Sequence, residues 1–223
     1  MTVNTPTTAP TPVVEPVRSA RVDGDGWTGH VLVAALVALA LVTGLIYTFS
    51  VAVMPALADA DDRTFVATMQ RFNDNPVFQV TFTVALALTV LAVVAQRRHG
   101  PGLAARWTVA ALVLYGIVVA VTFGIHIPLN NDIDQANLDR VADVADVRDD
   151  VEDPWVAWNI VRTVLSTAAV ATLARALILH GRSTADRTTG ASADGPSGAP
   201  PTTTFRAASS PFAGPSPQGR SVR

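Results

Sequence analysis

Cysteine and lysine are both absent from this chain of 223 residues. Without cysteine the protein has no disulfide bond, no thiol redox chemistry and no cysteine-ligated iron–sulfur cluster, which excludes the thiol-based quinone reductases among small membrane proteins. All 16 basic residues are arginine, and with 18 acidic residues the formal net charge is −2. Because this balance provides no excess positive charge for a polyanion, no nucleic-acid partner is expected.

Charged side chains are missing from three long apolar segments and are rare in a fourth, which holds only Arg162 and Arg175. Each segment supplies roughly the 20 apolar residues that a helix needs to cross a hydrocarbon core of about 30 Å. The sequence therefore predicts four membrane-spanning helices and the lipid bilayer as a partner. These helices are predicted at residues 30–53, 76–96, 106–127 and 154–179.

The four spans predict one all-α domain, a membrane four-helix bundle, over residues 30–180. The flanking segments, 1–29 and 181–223, are rich in Thr, Pro, Ser and Gly, so we expect disordered tails. The first apolar segment also resembles a signal peptide, because Ala56-Leu57-Ala58 is similar to a cleavage site. Its apolar run is longer than the usual 7–15 or so residues and follows a long polar segment, which favours a first span.

Arginine placement predicts the orientation of the bundle. The link between the second and third spans holds Arg97, Arg98 and Arg106 without an acidic residue, whereas the other two links are acidic. Because arginine-rich links remain in the cytoplasm, both termini are predicted to be cytoplasmic and both acidic links external. The expected location is the inner (plasma) membrane.

Both acidic links contain apolar residues at helical spacing. In the first, Phe65, Met69 and Phe72 recur at i, i+4 and i+7, which predicts a short amphipathic helix. The second link has a comparable stripe: Leu138, Val141, Val144 and Val147. Such helices can cover the external mouth of the bundle as a lid, or they can lie as solvated helices at the headgroup level.

Polar residues within the spans mark the predicted site, because they are costly in lipid and need polar partners. The third span carries one polar face: Tyr115, Thr122 and His126. The fourth carries another: Trp155, Trp158, Asn159, Arg162 and Ser166. Both faces lie toward the predicted external end, so they predict a single pocket.

Several residues of this pocket have two interpretations. Arg162 either pairs with carbonyls or an external aspartate, or holds an anionic or phenolate-like ligand through its planar fork of donors. His126 is either a satisfied polar residue or a general base. Trp155 and Trp158 suit membrane-interface anchors as well as stacking surfaces. Because His126 has no histidine at its level and no Glu-x-x-His motif is present, neither haem nor another metal is predicted.

Asn73, Asn75 and Pro76 precede or open the second span. Asn75 is expected to cap this helix, and proline suits the first turn. Asn73 has no comparable structural role, which makes it a candidate for the pocket.

Five segments together resemble the anthrone oxygenase-like family of small membrane proteins, and they occur in the family's order. They are YTFSVAVMPAL at 47–57, MQRFN at 69–73, NPVF at 75–78, IPLNN at 127–131, and WxxWNxxRT at 155–163. One departure is His126, which stands where the family often has asparagine.

The resemblance implies oxidation of an anthrone to an anthraquinone by dioxygen, without a bound cofactor. It implies a hydrophobic aromatic small molecule as substrate. Such a reaction requires a base, for which His126 is the candidate, and a partner of the substrate oxyanion, for which Arg162 and Asn159 are the candidates. The predicted substrate-binding residues are Tyr47, Asn73, Asn130, Asn131 and Trp158. The alternative is a non-enzymatic accessory protein or small transporter subunit, although the sequence shows neither the repeats nor the broken spans typical of carriers.

Overall fold

The structure is a computed structural model that describes residues 19–193. Within this range the chain is helical and forms no strand, which confirms the predicted fold class. Two five-residue π-helices, Phe49–Val53 and Thr122–His126, interrupt the longer helices. The α-helices are α1 (Ser19–Thr48), α2 (Met54–Ala58), α3 (Asp62–Asn73), α4 (Pro76–Arg97), α5 (Leu103–Val121), α6 (Ile127–Gln135) and α7 (Val141–Ala193).

Four stretches of the described chain are long and apolar enough to cross a membrane: Gly26–Ala58, Pro76–Arg97, Leu103–Gln135 and Val141–Arg187. Their main helices form a square bundle, because α1 and α5 each pack against both α4 and α7. The predicted capping of the second span is confirmed, since the Asn75 side chain accepts a hydrogen bond of 3.0 Å from the Val77 backbone N–H.

The helices extend beyond the predicted apolar spans. The fourth span is predicted to begin at residue 154, yet α7 begins at Val141 and continues through Pro154. Val144 is buried and Val147 is half-buried, whereas Val141 is 83% exposed. Part of the apolar stripe of the second acidic link therefore packs within the first turns of α7 instead of forming a separate helix. The predicted tails lie mostly outside the described residues, and their described portions, 19–29 and 181–193, are helical.

A small cap covers one end of the bundle. It consists of α2, α3, α6 and the first turns of α7, which share a core. The side chains buried in this core include Met54, Phe65, Val66, Met69, Ile133 and Val151. We call this end the capped end, and we call the opposite end, where the α4–α5 turn lies, the tail end.

Arg148 fastens the cap to α7. Its guanidinium donates to the Ala60 carbonyl at 2.7 Å, to the Asp62 carboxylate at 3.0 Å and to the Glu152 carboxylate at 2.7 Å. It also lies 4.9 Å from the centre of the Phe65 ring. Since the planar fork satisfies several acceptors at once, one side chain fixes the chain between α2 and α3 against α7.

Candidate functional site

A cavity of about 400 Å³ lies in the capped half of the bundle, beneath the cap. Helices α1, α3, α4, α6 and α7 and the π-helix Thr122–His126 all contribute to its walls. The volume lies within the range of roughly 300–1,000 Å³ that is usual for small-molecule sites. The spans thus leave room for a ligand at one end of the bundle.

Aromatic rings form much of the wall. The ring of Phe49 lies 5.0 Å from that of Phe72, 5.9 Å from that of Phe78 and 5.5 Å from that of Trp155, measured between centroids. Phe82 lines the same space from the next turn of α4. Packed rings of this kind present stiff, flat apolar surfaces, which suit a planar aromatic ligand.

Arg162 is the charged group of this wall. The residue is 7% exposed. One guanidinium nitrogen donates to Asn159 Oδ1 at 2.7 Å and the other terminal nitrogen to Thr122 Oγ1 at 3.2 Å. Its Nε atom has no hydrogen-bond partner, and no carboxylate within residues 19–193 forms an ion pair with it. A buried cation without a counter-ion favours an anionic ligand in the adjoining space.

Asn159 is held in the orientation that presents its oxygen to Arg162. Its Nδ2 atom donates to the Ile46 carbonyl at 3.1 Å and to Ser50 Oγ at 2.8 Å. Because both amide protons are donated to acceptors on α1 and on the π-helix that follows it, Oδ1 remains free to accept a hydrogen bond from the guanidinium. The amide therefore positions Arg162 relative to the first span.

Both π-helices contribute directly to this arrangement. Ser50 lies in the π-helix Phe49–Val53, while Thr122 and His126 lie in the π-helix Thr122–His126. A π turn adds one residue to the helical repeat and redirects the side chains around it, and such turns are frequent at functional sites. Here two of them lie on opposite walls of one cavity.

His126 borders the cavity but is enclosed. The residue is 1% exposed, and its ring packs edge-on against Trp155 with 5.1 Å between the ring centroids. Neither ring nitrogen has a well-aligned hydrogen-bond partner in the described part of the chain, and both are buried. In this arrangement the side chain must rotate before a nitrogen reaches a ligand.

Two asparagines connect the cap to the cavity wall. Asn73 Nδ2 donates to the Asn130 carbonyl at 3.3 Å and to Asp134 Oδ1 at 2.9 Å. Asn130 Oδ1 accepts a hydrogen bond of 3.0 Å from Trp155 Nε1. These bonds join α3, α6 and α7, so the polar groups near the cap close the cavity toward that side.

The structure brings together most of the predicted site residues. His126, Arg162, Asn159, Asn73 and Asn130 all line the cavity.

Tyr47, Asn131 and Trp158 do not line it. Tyr47 is 54% exposed and Trp158 is 39% exposed on the outer surface of the bundle, and Asn131 is also exposed. Each of them follows or precedes a lining residue by one position, and one position turns a helix by about 100°. The predicted placement of these three in the site is therefore not what the structure shows.

Sequence reasoning missed the aromatic wall. Phe49, Phe78 and Phe82 looked like ordinary apolar residues of membrane spans, and Trp155 was expected to anchor at the membrane interface as readily as to stack. Trp155 is in fact only 5% exposed. A usable signal was present in α4, where Phe78 and Phe82 recur beside Gln79 and Thr83 in a helix whose other residues are mostly aliphatic.

In the part of the chain that the structure describes, no group of three His, Asp or Glu side chains lies close enough to hold a metal ion. The lining groups are instead one guanidinium, one imidazole, amides, hydroxyls and rings. Such a set can bind a planar molecule, stabilise negative charge on its oxygen and, after rotation of His126, accept a proton.

These features define a class: a helical membrane protein with four apolar spans and a capped, aromatic-walled cavity that contains a buried cation. Within that class, the family model described as anthrone oxygenase matches residues 75–172. The resemblance seen in the sequence is thus confirmed over α4, α5, α6 and most of the spanning part of α7. No curated protein and no solved structure matches the chain at a significant level.

Proposed function

We propose that the protein oxidises an anthrone-like phenolic substrate with dioxygen in this cavity, without a bound metal or flavin. The observation that carries the proposal is Arg162, a buried guanidinium without an ion pair among the described residues, beside flat aromatic walls. Both the guanidinium and its partner Asn159 lie in the segment that matches the anthrone oxygenase family.

The electrostatic role of Arg162 follows from the acidity of the substrate. An anthrone is uncharged, but removal of one proton from its methylene carbon gives an anthrolate, whose negative charge rests largely on oxygen. A guanidinium stabilises that oxyanion more strongly in a cavity of low dielectric than in water. Arg162 would therefore lower the free energy of the reactive anion while binding the neutral substrate less strongly.

The proposed reaction balances with dioxygen as the oxidant. The anthrolate carbon gives electrons to dioxygen, a carbon–oxygen bond forms, and a proton completes a hydroperoxide on that carbon. Loss of water then breaks the oxygen–oxygen bond and the remaining carbon–hydrogen bond, and leaves the second carbonyl of the anthraquinone. One anthrone and one dioxygen thus give one anthraquinone and one water.

His126 is proposed as the base that removes the first proton and returns one later. In the structure its nitrogens are enclosed beside Trp155, so this role requires the imidazole to rotate when substrate enters. The ring already borders the cavity, so a turn of the side chain would bring a nitrogen toward the ligand. An imidazole that makes no strong hydrogen bond loses little when it turns toward a ligand.

We further propose that the capped end faces outward in the plasma membrane and that both termini are cytoplasmic. The support is the distribution of arginine, which is concentrated in the α4–α5 turn and beyond the fourth span. Reporter fusions should show cytoplasmic activity at Gly100 and after His180, and external activity near Asp143. External activity at Gly100 would reverse the orientation.

The test of the enzymatic proposal is oxygen consumption by the purified protein with an anthrone, compared with Arg162→Lys and Arg162→Gln variants. Loss of the oxyanion partner should reduce turnover by about 10²–10³-fold, and lysine should not restore it because it lacks the planar fork. Arg175→Lys is the matched control, since Arg175 lies on the same helix but is exposed and far from the cavity. Chelator treatment should leave turnover unchanged.

Two outcomes would contradict this function. Full activity of Arg162→Gln would remove the oxyanion role, and inactivity of the unmodified protein with several anthrones would favour the non-enzymatic alternative, an accessory protein or transporter subunit. The structure gives that alternative little support as a carrier, because buried alanine, leucine and valine side chains fill the tail half of the bundle.

A further inference from the structure

The cavity wall is exposed on one side. Lining residues from α1, α3, α6 and α7 are buried or half-buried, whereas four lining residues have exposed side chains. Asn75 directly precedes α4, Gln79 and Thr83 lie on α4, and Phe123 lies just after the end of α5. Phe123 is 63% exposed although it also borders the cavity, so it marks the rim.

Because α4 and α5 are neighbours in the bundle, we propose that the cavity opens sideways between them, toward the lipid, and admits an uncharged aromatic molecule dissolved in the membrane. We define the rim as Gln79, Thr83 and Phe123. The identity of the ligand rests on the proposed function, whereas the opening rests on the exposure of these residues.

The depth of the rim places it against acyl chains. Gln79 and Thr83 lie about 5 and 10 Å along α4 from its first residue, at about 1.5 Å per residue. Both belong to the apolar stretch Pro76–Arg97, and Phe123 belongs to Leu103–Gln135. The rim is therefore in the leaflet at the capped end, near the boundary between headgroups and hydrocarbon.

The path from water through the cap is closed by several contacts. Asn73 bonds to Asn130 and Asp134, and Trp155 bonds to Asn130. Met69 of α3 also borders the cavity and is 1% exposed. A ligand that came through the cap would have to break these bonds, while the side route is lined by exposed groups.

The chemistry of the rim fits a neutral ligand with a carbonyl or hydroxyl group. The Gln79 amide makes no hydrogen bond with another described side chain, and Thr83 donates only to the Gln79 carbonyl at 2.8 Å. Polar groups that face lipid without such partners are costly, and a ligand oxygen would satisfy them. An uncharged molecule can cross this rim and ionise next to Arg162, whereas an anion would first have to lose its hydration.

The absence of cysteine from the chain makes a blocking experiment specific. Phe123→Cys, labelled with a biotin maleimide, should obstruct the opening. Val113→Cys with the same label is the control, because Val113 lies on α5, in the same membrane span as Phe123, is 57% exposed and lies nearer the tail end. The labels would be compared in the full-length protein in phospholipid bilayers.

The first readout is the association rate of an anthrone under nitrogen, when no oxidation can occur. Quenching of Trp155 fluorescence reports binding in a variant with Trp27, Trp107 and Trp158 replaced by phenylalanine. The label on the Phe123→Cys variant should slow association by about tenfold or more, while the label on the Val113→Cys variant should leave it unchanged. Equal rates with and without the label on Phe123→Cys would overturn the side route.

The second readout needs no aromatic ligand. Phospholipids brominated on the upper part of their acyl chains should quench Trp155 through the opening, and the label on Phe123→Cys should reduce that quenching. A protein that retains only Trp107, which is 38% exposed, verifies that the lipids quench. If they quench Trp107 but not Trp155, the cavity is closed to lipid and the inference is wrong.

These measurements separate the two proposals. An inactive protein whose Trp155 is quenched through the rim would contradict the oxidation but keep the side opening. An active protein without that quenching would keep the oxidation and reject the side opening.

Discussion

The two halves of this bundle contain the same four long helices but pack them in different ways. In the tail half, small residues meet at the centre: Ala35, Ala92, Ala111, Ala169 and Ala176. In the capped half, aromatic residues surround a cavity of about 400 Å³. The contrast shows how one set of spans can pack tightly at the tail end and enclose a cavity at the capped end.

Side-chain size and helix type explain the difference. Alanine lets membrane helices approach closely, and the van der Waals attraction at this short distance holds such bundles together. In the capped half two π-helices alter the repeat, and bulky rings from Phe49, Phe78 and Trp155 occupy the wall. The tail half is therefore closely packed, and the capped half has the space and unpaired polar groups that a ligand site requires.

The largest expected effect comes from His126, in the capped half. If it is the base, His126→Ala should reduce anthrone turnover by about 10²–10⁴-fold, measured as oxygen consumption. His99→Ala is the control at the tail end, where the His99 ring already bonds to Thr28 Oγ1 at 2.8 Å, and it should leave turnover unchanged.

His126→Asn sharpens this test, because asparagine often occupies this position in the family that the chain resembles. An amide cannot accept the proton, so the variant should be as impaired as alanine. Full activity in either variant would exclude His126 as base. Water would then have to accept the methylene proton, with Arg162 stabilising the anion.

The second prediction compares stability in the two halves with one type of substitution. Leu173→Ala removes a fully buried side chain from the tail half and should lower the free energy of unfolding by about 2–5 kcal/mol. Leu86→Ala, at the cavity wall, should cost clearly less because that side chain is half-buried and already borders empty space. Unfolding in mixed detergent micelles measures both, and equal losses would contradict the contrast.

The third prediction concerns the cap. Arg148→Lys removes the fork that joins α2, α3 and α7, and should destabilise the cap by about 1–3 kcal/mol. Hydrogen exchange of α3 amides should become faster, while that of the tail-half helices should not change. Arg140→Lys is the control, because the Arg140 side chain is 71% exposed. Unchanged exchange in α3 would show that the apolar core of the cap suffices to hold it.

The features of this bundle that could be predicted from the sequence are those that depend on local properties of the chain. Four spans and the amphipathic α3 were predictable because apolar runs and helical spacing are local properties. The place of Arg162, Asn159 and His126 at one cavity was predictable because polar residues in lipid-spanning segments are conspicuous.

The rest depends on three-dimensional details that spacing does not contain. Tyr47 and Trp158 were misplaced because one helical position, a turn of about 100°, decides between cavity and lipid. Phe78 and Phe82 were not recognised because an apolar residue in a membrane span looks the same whether it faces lipid or a cavity. The fusion of the second acidic link with α7 was missed because Pro154 suggested a helix start.

The smallest effect is expected at the start of α3. The Asp61 carboxylate accepts hydrogen bonds from the Thr64 hydroxyl at 2.7 Å and from the Thr64 backbone N–H at 3.0 Å. These bonds favour the charged form and lower the pKa of Asp61 below its usual value of 3.8. Because the folded-state pKa is the lower one, the stabilisation is present above the unfolded-state pKa and is lost as the pH falls through the folded-state pKa.

Asp61→Asn provides the matched comparison, because asparagine also caps helices well but does not titrate in this range. Exchange rates of the Thr64 to Val66 amides, corrected for the intrinsic effect of pH, should rise in the unmodified protein as the pH falls below about 4. In the Asp61→Asn variant they should rise less, since the other carboxylates are the same in both proteins. Parallel curves for the two proteins would show that the charge of Asp61 contributes nothing beyond its capping oxygen.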